Sequence, residues 1–156
     1  MNISSKAEGA TGLLSNFTGF YFIFDGVVCM SMEGLVQSFK TAGRSLQREV
    51  CLKVGKEAKK WGQEFGVDWK ITKKLYWQGV EYDRHSQEYQ DLLDRAYSAL
   101  ANNRRFREIL LSTGEEVLTH SIGESDPNLT VLTEHEFCSR LEKLRKGLRS
   151  KLTAKV

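Results

Sequence analysis

The chain has 156 residues, 40% hydrophobic and 28% charged, with a formal net charge of +3. That profile suits one globular, soluble domain with a real core. The longest apolar stretch, Gly19 to Met30, is broken by Asp25 and Gly26 and falls short of the roughly 20 residues of a membrane span.

The opening residues lack the charged, apolar and small-residue regions of a signal peptide, so a cytoplasmic protein is expected. Cys29, Cys51 and Cys138 are odd in number and form no C-x-x-C pair, which argues against a zinc ribbon or a dithiol redox site. His85, His120 and His135 show no metal-ligand spacing, so no metal is expected.

In chain order, residues 1–12 are small and polar and are expected to be a flexible terminus. Phe17 to Ser31 holds two runs of aromatic and β-branched residues around Asp25-Gly26, a strong hairpin signal. Ser31 then caps a helix through Lys40. Its apolar residues Met32, Leu35, Val36 and Phe39 share one stripe, while Glu33, Gln37 and Lys40 share a neighbouring one. A second helix is predicted over about residues 45–60, from Leu46, Val50, Val54, Ala58 and Trp61.

The Gly-broken stretch from Trp61 to Lys70 reads as a loop or short turn, and Lys74 to Val80 as extended. After Ser86, a long helix buries Tyr89, Leu92, Leu93, Ala96, Tyr97 and Leu100. A short helix follows and ends at Gly114, and Glu115 to Ile122 suggests a strand. Gly123 to Asn128 is a turn holding the single proline. The last helix opens with a capping box, Thr133 to Glu136, and buries Phe137, Leu141, Leu144 and Leu148. The expected architecture is α+β: a compact, mainly helical single domain over 13–150 with a small antiparallel sheet, then a basic tail at 151–156.

Several pieces occur in a telling order: Leu14-Ser15-Asn16-Phe17, the hairpin, the Ser31-x-Glu33-x-x-x-Gln37-x-x-Lys40 helix, the Asn102 to Gly123 segment, and Thr130 to Arg145. The chain resembles the NADAR (YbiA-like) family of N-glycosidases over roughly residues 13–145, and a branch that includes tailed-phage proteins. The resemblance implies a YbiA-like fold, hydrolysis of an N-glycosidic bond, and no cofactor. It implies as substrate a ribosylaminopyrimidine phosphate of riboflavin synthesis or ADP-ribosylated guanine in nucleic acid. If phage-encoded, the chain would act in the host cytoplasm.

By that resemblance Glu33 is the catalytic carboxylate, and Asn16, Gln37 and Lys40 bind substrate. Trp77 is the positional candidate for the family's ligand-facing tryptophan, with Trp69 a weaker one. Where many members carry D-x-x-W-G, this chain has Gly123 to Leu132 without a tryptophan, and Asp126 takes the aspartate's place.

The chemistry suits these residue types. A breaking N-glycoside builds positive charge on the ribose, which a carboxylate can stabilise while activating water. Lys40 could keep Glu33 ionised or hold a phosphate, and Gln37 and Asn16 could orient hydroxyls. Arg44, Arg84, Arg104 and Arg105 are further candidates for phosphate contacts. His120, beside a strand, reads as structural. Two other readings stay open: a non-catalytic nucleotide or ADP-ribose-binding protein, and a small nucleic-acid- or protein-binding module using the basic last helix.

Overall fold

The computed structural model describes residues 1–154. Strands β1 (Phe22–Phe24) and β2 (Val27–Cys29) form the hairpin, with Phe24 opposite Val27. Asp25 and Gly26 turn the chain at φ 47° and 79°, the left-handed pair that a two-residue type I′ turn requires. Phe22, Phe24, Val27 and Cys29 point inward.

Helix α2 (Met32–Ser38) follows, capped by Ser31, whose Oγ accepts the Gly34 N–H at 3.0 Å. Its predicted apolar stripe is fully in the core. Two further helices enclose it, α3 (Arg44–Cys51) and α4 (Gly55–Phe65). The periodicity predicted one helix here. The chain instead breaks at residues 52–54 and restarts at Gly55, whose φ of 57° a regular helix cannot contain. Leu46 and Val54, counted in the predicted stripe, are exposed.

Helix α5 (Trp69–Thr72) leads into a second hairpin, β3 (Lys74–Trp77) and β4 (Val80–Asp83). Its turn uses Gln78 and Gly79 at φ 48° and 83°, the same geometry from a weaker sequence signal. Among the described residues the sheet content is therefore two separate two-stranded antiparallel sheets in a largely helical domain, the α+β class expected.

The remaining helices are α6 (Gln87–Leu100), α7 (Arg104–Ser112) and α8 (Glu134–Ala154), with α1 (Gly9–Leu13) near the start. All six predicted residues of α6 are buried. The α8 capping box is reciprocal: Glu136 N–H donates to Thr133 Oγ1 at 3.1 Å, and Thr133 N–H to Glu136 Oε1 at 2.8 Å. Residues 151–154 continue α8 rather than form a tail; 155–156 lie outside the described residues.

The N-terminal segment is not loose packing. Ile3 is fully buried, its N–H donates to the Thr119 carbonyl at 2.7 Å, and Thr119 N–H donates to Met1 O at 2.9 Å. The strand predicted over Glu115–Ile122 shrinks to this single parallel bridge, Asn2 to Thr119, because its partner is only a few residues long.

One buried polar network ties the halves together. Arg84 is 1% exposed. It donates to both oxygens of Glu136, at 3.0 and 2.7 Å, and to the Thr130 carbonyl at 3.0 Å. Tyr89 lies beneath its guanidinium, 4.9 Å to the ring centroid, and donates to Val131 O at 2.6 Å. Burial opposes the charge on Glu136, but hydrogen bonds from Arg84 and Gln90 outweigh it and hold its carboxyl below the usual range. Arg84 is thus a structural residue and not the phosphate contact expected from sequence.

Arg84→Ala leaves the Glu136 carboxylate buried and half-paired, which should destabilise the fold by about 3–5 kcal/mol in urea unfolding. Because the Glu136 pKa is depressed in the folded state, the stability it confers is present above its unfolded pKa. That stability is lost as the pH falls through the folded value. Arg84→Ala should therefore lose much of its difference from wild type in strong acid.

Candidate functional site

Helix α2 is short and almost wholly buried, yet carries polar groups along one side. Close packing makes room for them. Gly34 lies so near the end of α3 that a Cβ would sit 2.6 Å from Lys53 O. Gly62 of α4 is bare where Gln37 and Lys40 come against it, and a side chain there would collide with the Gln37 amide.

The N-terminal end of α2 is fixed by the segment Ser15–Phe17. Glu33 N–H donates to the Asn16 carbonyl at 3.1 Å, and Asn16 Oδ1 accepts the Tyr97 hydroxyl at 3.0 Å. Glu33 and Asn16 therefore arrive together, on one wall of a cavity of about 320 Å³. Ser15, Phe17, Gln37, Lys59, His120, the 122–124 and 129–133 segments and Phe137 line it with them.

Glu33 is half-buried and accepts a hydrogen bond from Gln37 Nε2 at 2.9 Å. Burial raises its pKa above the usual glutamate value of 4.5, while Gln37, Lys59, Lys40 and His120 each pull it back down. Gln37 is 6% exposed, and its Oε1 has no hydrogen-bond partner among the described residues. Burial pushes the Lys40 ammonium down to about 8; Glu33 opposes that shift, and Lys70 and Lys59 add to it. Lys59 and Lys40, the lysines whose charge acts on Glu33, form no ion pair among the described residues; Lys59 lines the cavity and Lys40, a site candidate from sequence, does not.

The other sequence candidates lie elsewhere. Trp77 is 1% exposed and belongs to the core. Its ring stacks on Phe24 at 5.3 Å and meets Phe39 edge-on at 5.6 Å, and its Nε1–H donates to Asp25 Oδ2 at 2.8 Å. It joins the two hairpins and does not line the cavity, and neither does Trp69.

Asp126 caps its own turn, accepting the Asn128 N–H at 2.9 Å. It sits in the loop over the cavity without lining it. Arg44 donates to Gln78 O, and Arg104 pairs with Glu108. Arg105 lies over the Phe20 ring. Sequence reasoning missed Phe17, Lys59 and His120 as cavity residues. Only Phe17 had a signal, as the last residue of the Leu14-Ser15-Asn16-Phe17 segment. Among the described residues no cluster of His, Cys, Asp and Glu could hold a metal ion, and no helix is long and apolar enough to cross a membrane.

Its sequence places this small α+β domain in a class of phage proteins. Residues 9–146 match the model of a family described as bacteriophage protein GP30.3, and the chain belongs to that family. A 17.1 kDa protein from the Gp30–rIII intergenic region of Enterobacteria phage T4 is 31% identical over 150 residues, covering 95% of this chain and 98% of that one. The NMR structure of the E. coli protein YbiA has the same fold, with a TM-score of 0.62 over 98% of this chain and 86% of its own. At 15% identity, that likeness is one of fold.

Burying Glu33 has a measurable consequence. A carboxyl whose folded pKa is raised favours folding only while protonated, so above that pKa its charge destabilises the protein. Glu33→Gln should therefore melt higher than wild type at pH 7, at about 2–4 °C per kcal/mol gained. The gap should close as the pH falls below the ordinary glutamate range. Equal melting temperatures at pH 7 would refute the buried charge.

Proposed function

We propose that this cavity hydrolyses the N-glycosidic bond of a ribosylated base. The observation that carries the reading is Glu33: a half-buried carboxylate, oriented by Gln37, lining a cavity and within the field of Lys59 and Lys40. The substrates implied by the NADAR resemblance are a ribosylaminopyrimidine phosphate or ADP-ribosylated guanine, and the fold shared with YbiA is consistent with both.

Glu33 stabilises the oxocarbenium-like ribose and takes a proton from the attacking water. Lys59 in the lining, with Lys40 nearby but outside it, supplies the positive field for substrate phosphate. Gln37 orients the carboxylate, its Nε2 donating to Glu33 Oε1 at 2.9 Å. Phe17 takes the place of the family's tryptophan as a flat surface for the base.

The lack of a tryptophan in the lining favours a second reading, an ADP-ribose-binding protein without turnover. Nucleic-acid binding through α8 has less support, because three of its arginines are engaged within the fold. Arg140 is bound to Gln90 and Asp94, Arg145 to Thr113 and Glu116, and Arg149 to Glu115.

Mass spectrometry for released base tests the proposal, on both substrates, with wild type and Glu33→Gln. Wild type should release base and the variant should lose at least about 100-fold. Saturable binding of ADP-ribose with no product from either protein would install the second reading instead. The acid limb of the wild-type pH profile should lie above the ordinary glutamate range, because Glu33 must be ionised and burial raises its pKa.

A further inference from the structure

We propose that His120 is the acid that protonates the departing base, a role that rests on the glycosidase reading above. The ring lines the same cavity as Glu33, and its Nδ1 is 2.7 Å from the Ile3 carbonyl oxygen. A carbonyl only accepts, so Nδ1 carries a proton in both the neutral and the charged ring. Proton exchange is thereby confined to Nε2.

That nitrogen makes no hydrogen bond to any described residue. The ring edge lies against Gly123, where a Cβ would come closest to Cδ2 and 3.1 Å from Nε2, so a side chain at 123 would crowd that nitrogen. Phe137 holds the ring edge-on, with centroids 5.3 Å apart and planes at 77°. The carbonyl, the aromatic edge and the bare glycine together fix the ring and leave one nitrogen for substrate.

The other ionisable groups in the lining have other tasks in this reading. Glu124 Oε1 accepts the N–H groups of Ser125 and Asp126 and shapes the turn. Lys59 is exposed at the rim, 5.9 Å from the Phe17 ring centroid. Glu33 receives the proton of water.

The step balances. His120 enters as the imidazolium. As the C1′–N bond breaks, its electron pair moves onto the base, which takes the Nε2 proton. The water oxygen bonds to C1′, and its proton passes to Glu33. Solvent then returns a proton from Glu33 to His120. The sum is one water split across the glycosidic bond, with no oxidant or reductant.

His120→Asn tests this, because the Asn amide can still donate to Ile3 O where Nδ1 did, while Nε2 is removed. Two substrates share a ribosyl 5-phosphate and differ in leaving group: an aminopyrimidine, which must be protonated, and 4-nitrophenoxide, which need not be. The variant should lose about 100-fold or more in kcat on the first and stay within about threefold of wild type on the second. Equal losses on both would make His120 a positioning residue and overturn the proposal.

Failure of the wild type to split or bind either substrate would sink the glycosidase reading itself, and this proposal with it. A turnover-independent check on the wild type is long-range ¹H–¹⁵N NMR of the ring. It should show the Nδ1–H tautomer at high pH and a displaced Nε2 resonance on saturation with ribose 5-phosphate plus free aminopyrimidine. An Nε2–H tautomer, or an Nε2 resonance that ignores the saturating ligands, would also overturn it.

Discussion

The buried pair of Arg84 and Glu136 is the constraint on which the arrangement depends. Arg84 ends the second hairpin, Glu136 begins α8, and the guanidinium also holds the Thr130 carbonyl. Residues 129–133 form part of the cavity wall, so the same pair that joins hairpin and helix shapes the site. Such pairs are weak evidence for stability as such, since burial offsets much of the attraction. What this one supplies is position. Glu136 also completes the α8 cap, so one carboxylate sets both where the helix starts and where the loop lies.

The site is built against the preferences of the fold. A core helix would be most stable with apolar residues all round, yet α2 buries Gln37 with an unpartnered oxygen and holds Glu33 where its charge is disfavoured. Packing that leaves polar groups short of partners commonly marks a place reserved for a ligand. Gly34 and Gly62 are part of the same arrangement, because they let α2 pack closely on α3 and α4, with the Gln37 amide seated against Gly62.

What could be read from sequence was local. The Asp25-Gly26 turn, the Ser31 and Ser86 caps, the α6 stripe and the capping box all depend on residues within a few positions of one another. The break at Gly55 was hidden because helical spacing ran through Leu46 to Trp61 without regard to backbone sign. The Gln78-Gly79 turn was missed because glutamine seldom adopts the left-handed region.

Within the site, Asn16, Glu33 and Gln37 share a wall because the chain between them is one hairpin and one helix turn. Lys59 and His120 arrive from distant segments, which no local pattern announces. Trp77 did carry a usable clue: with Leu75 it occupies the inward positions of a strand whose Lys74 and Tyr76 are more accessible. Alternation of that kind marks a core side chain.

The placement of the tryptophans has a spectroscopic side. All three, Trp61, Trp69 and Trp77, are buried, and none lines the cavity. Trp77 is clasped between two phenylalanines and a carboxylate that also pairs with Arg95. Its emission therefore reports whether the two hairpins are docked, and intrinsic fluorescence follows the integrity of the core while remaining nearly blind to what occupies the site. A ligand is better sought through the ring protons of Phe17 or His120, which do face it.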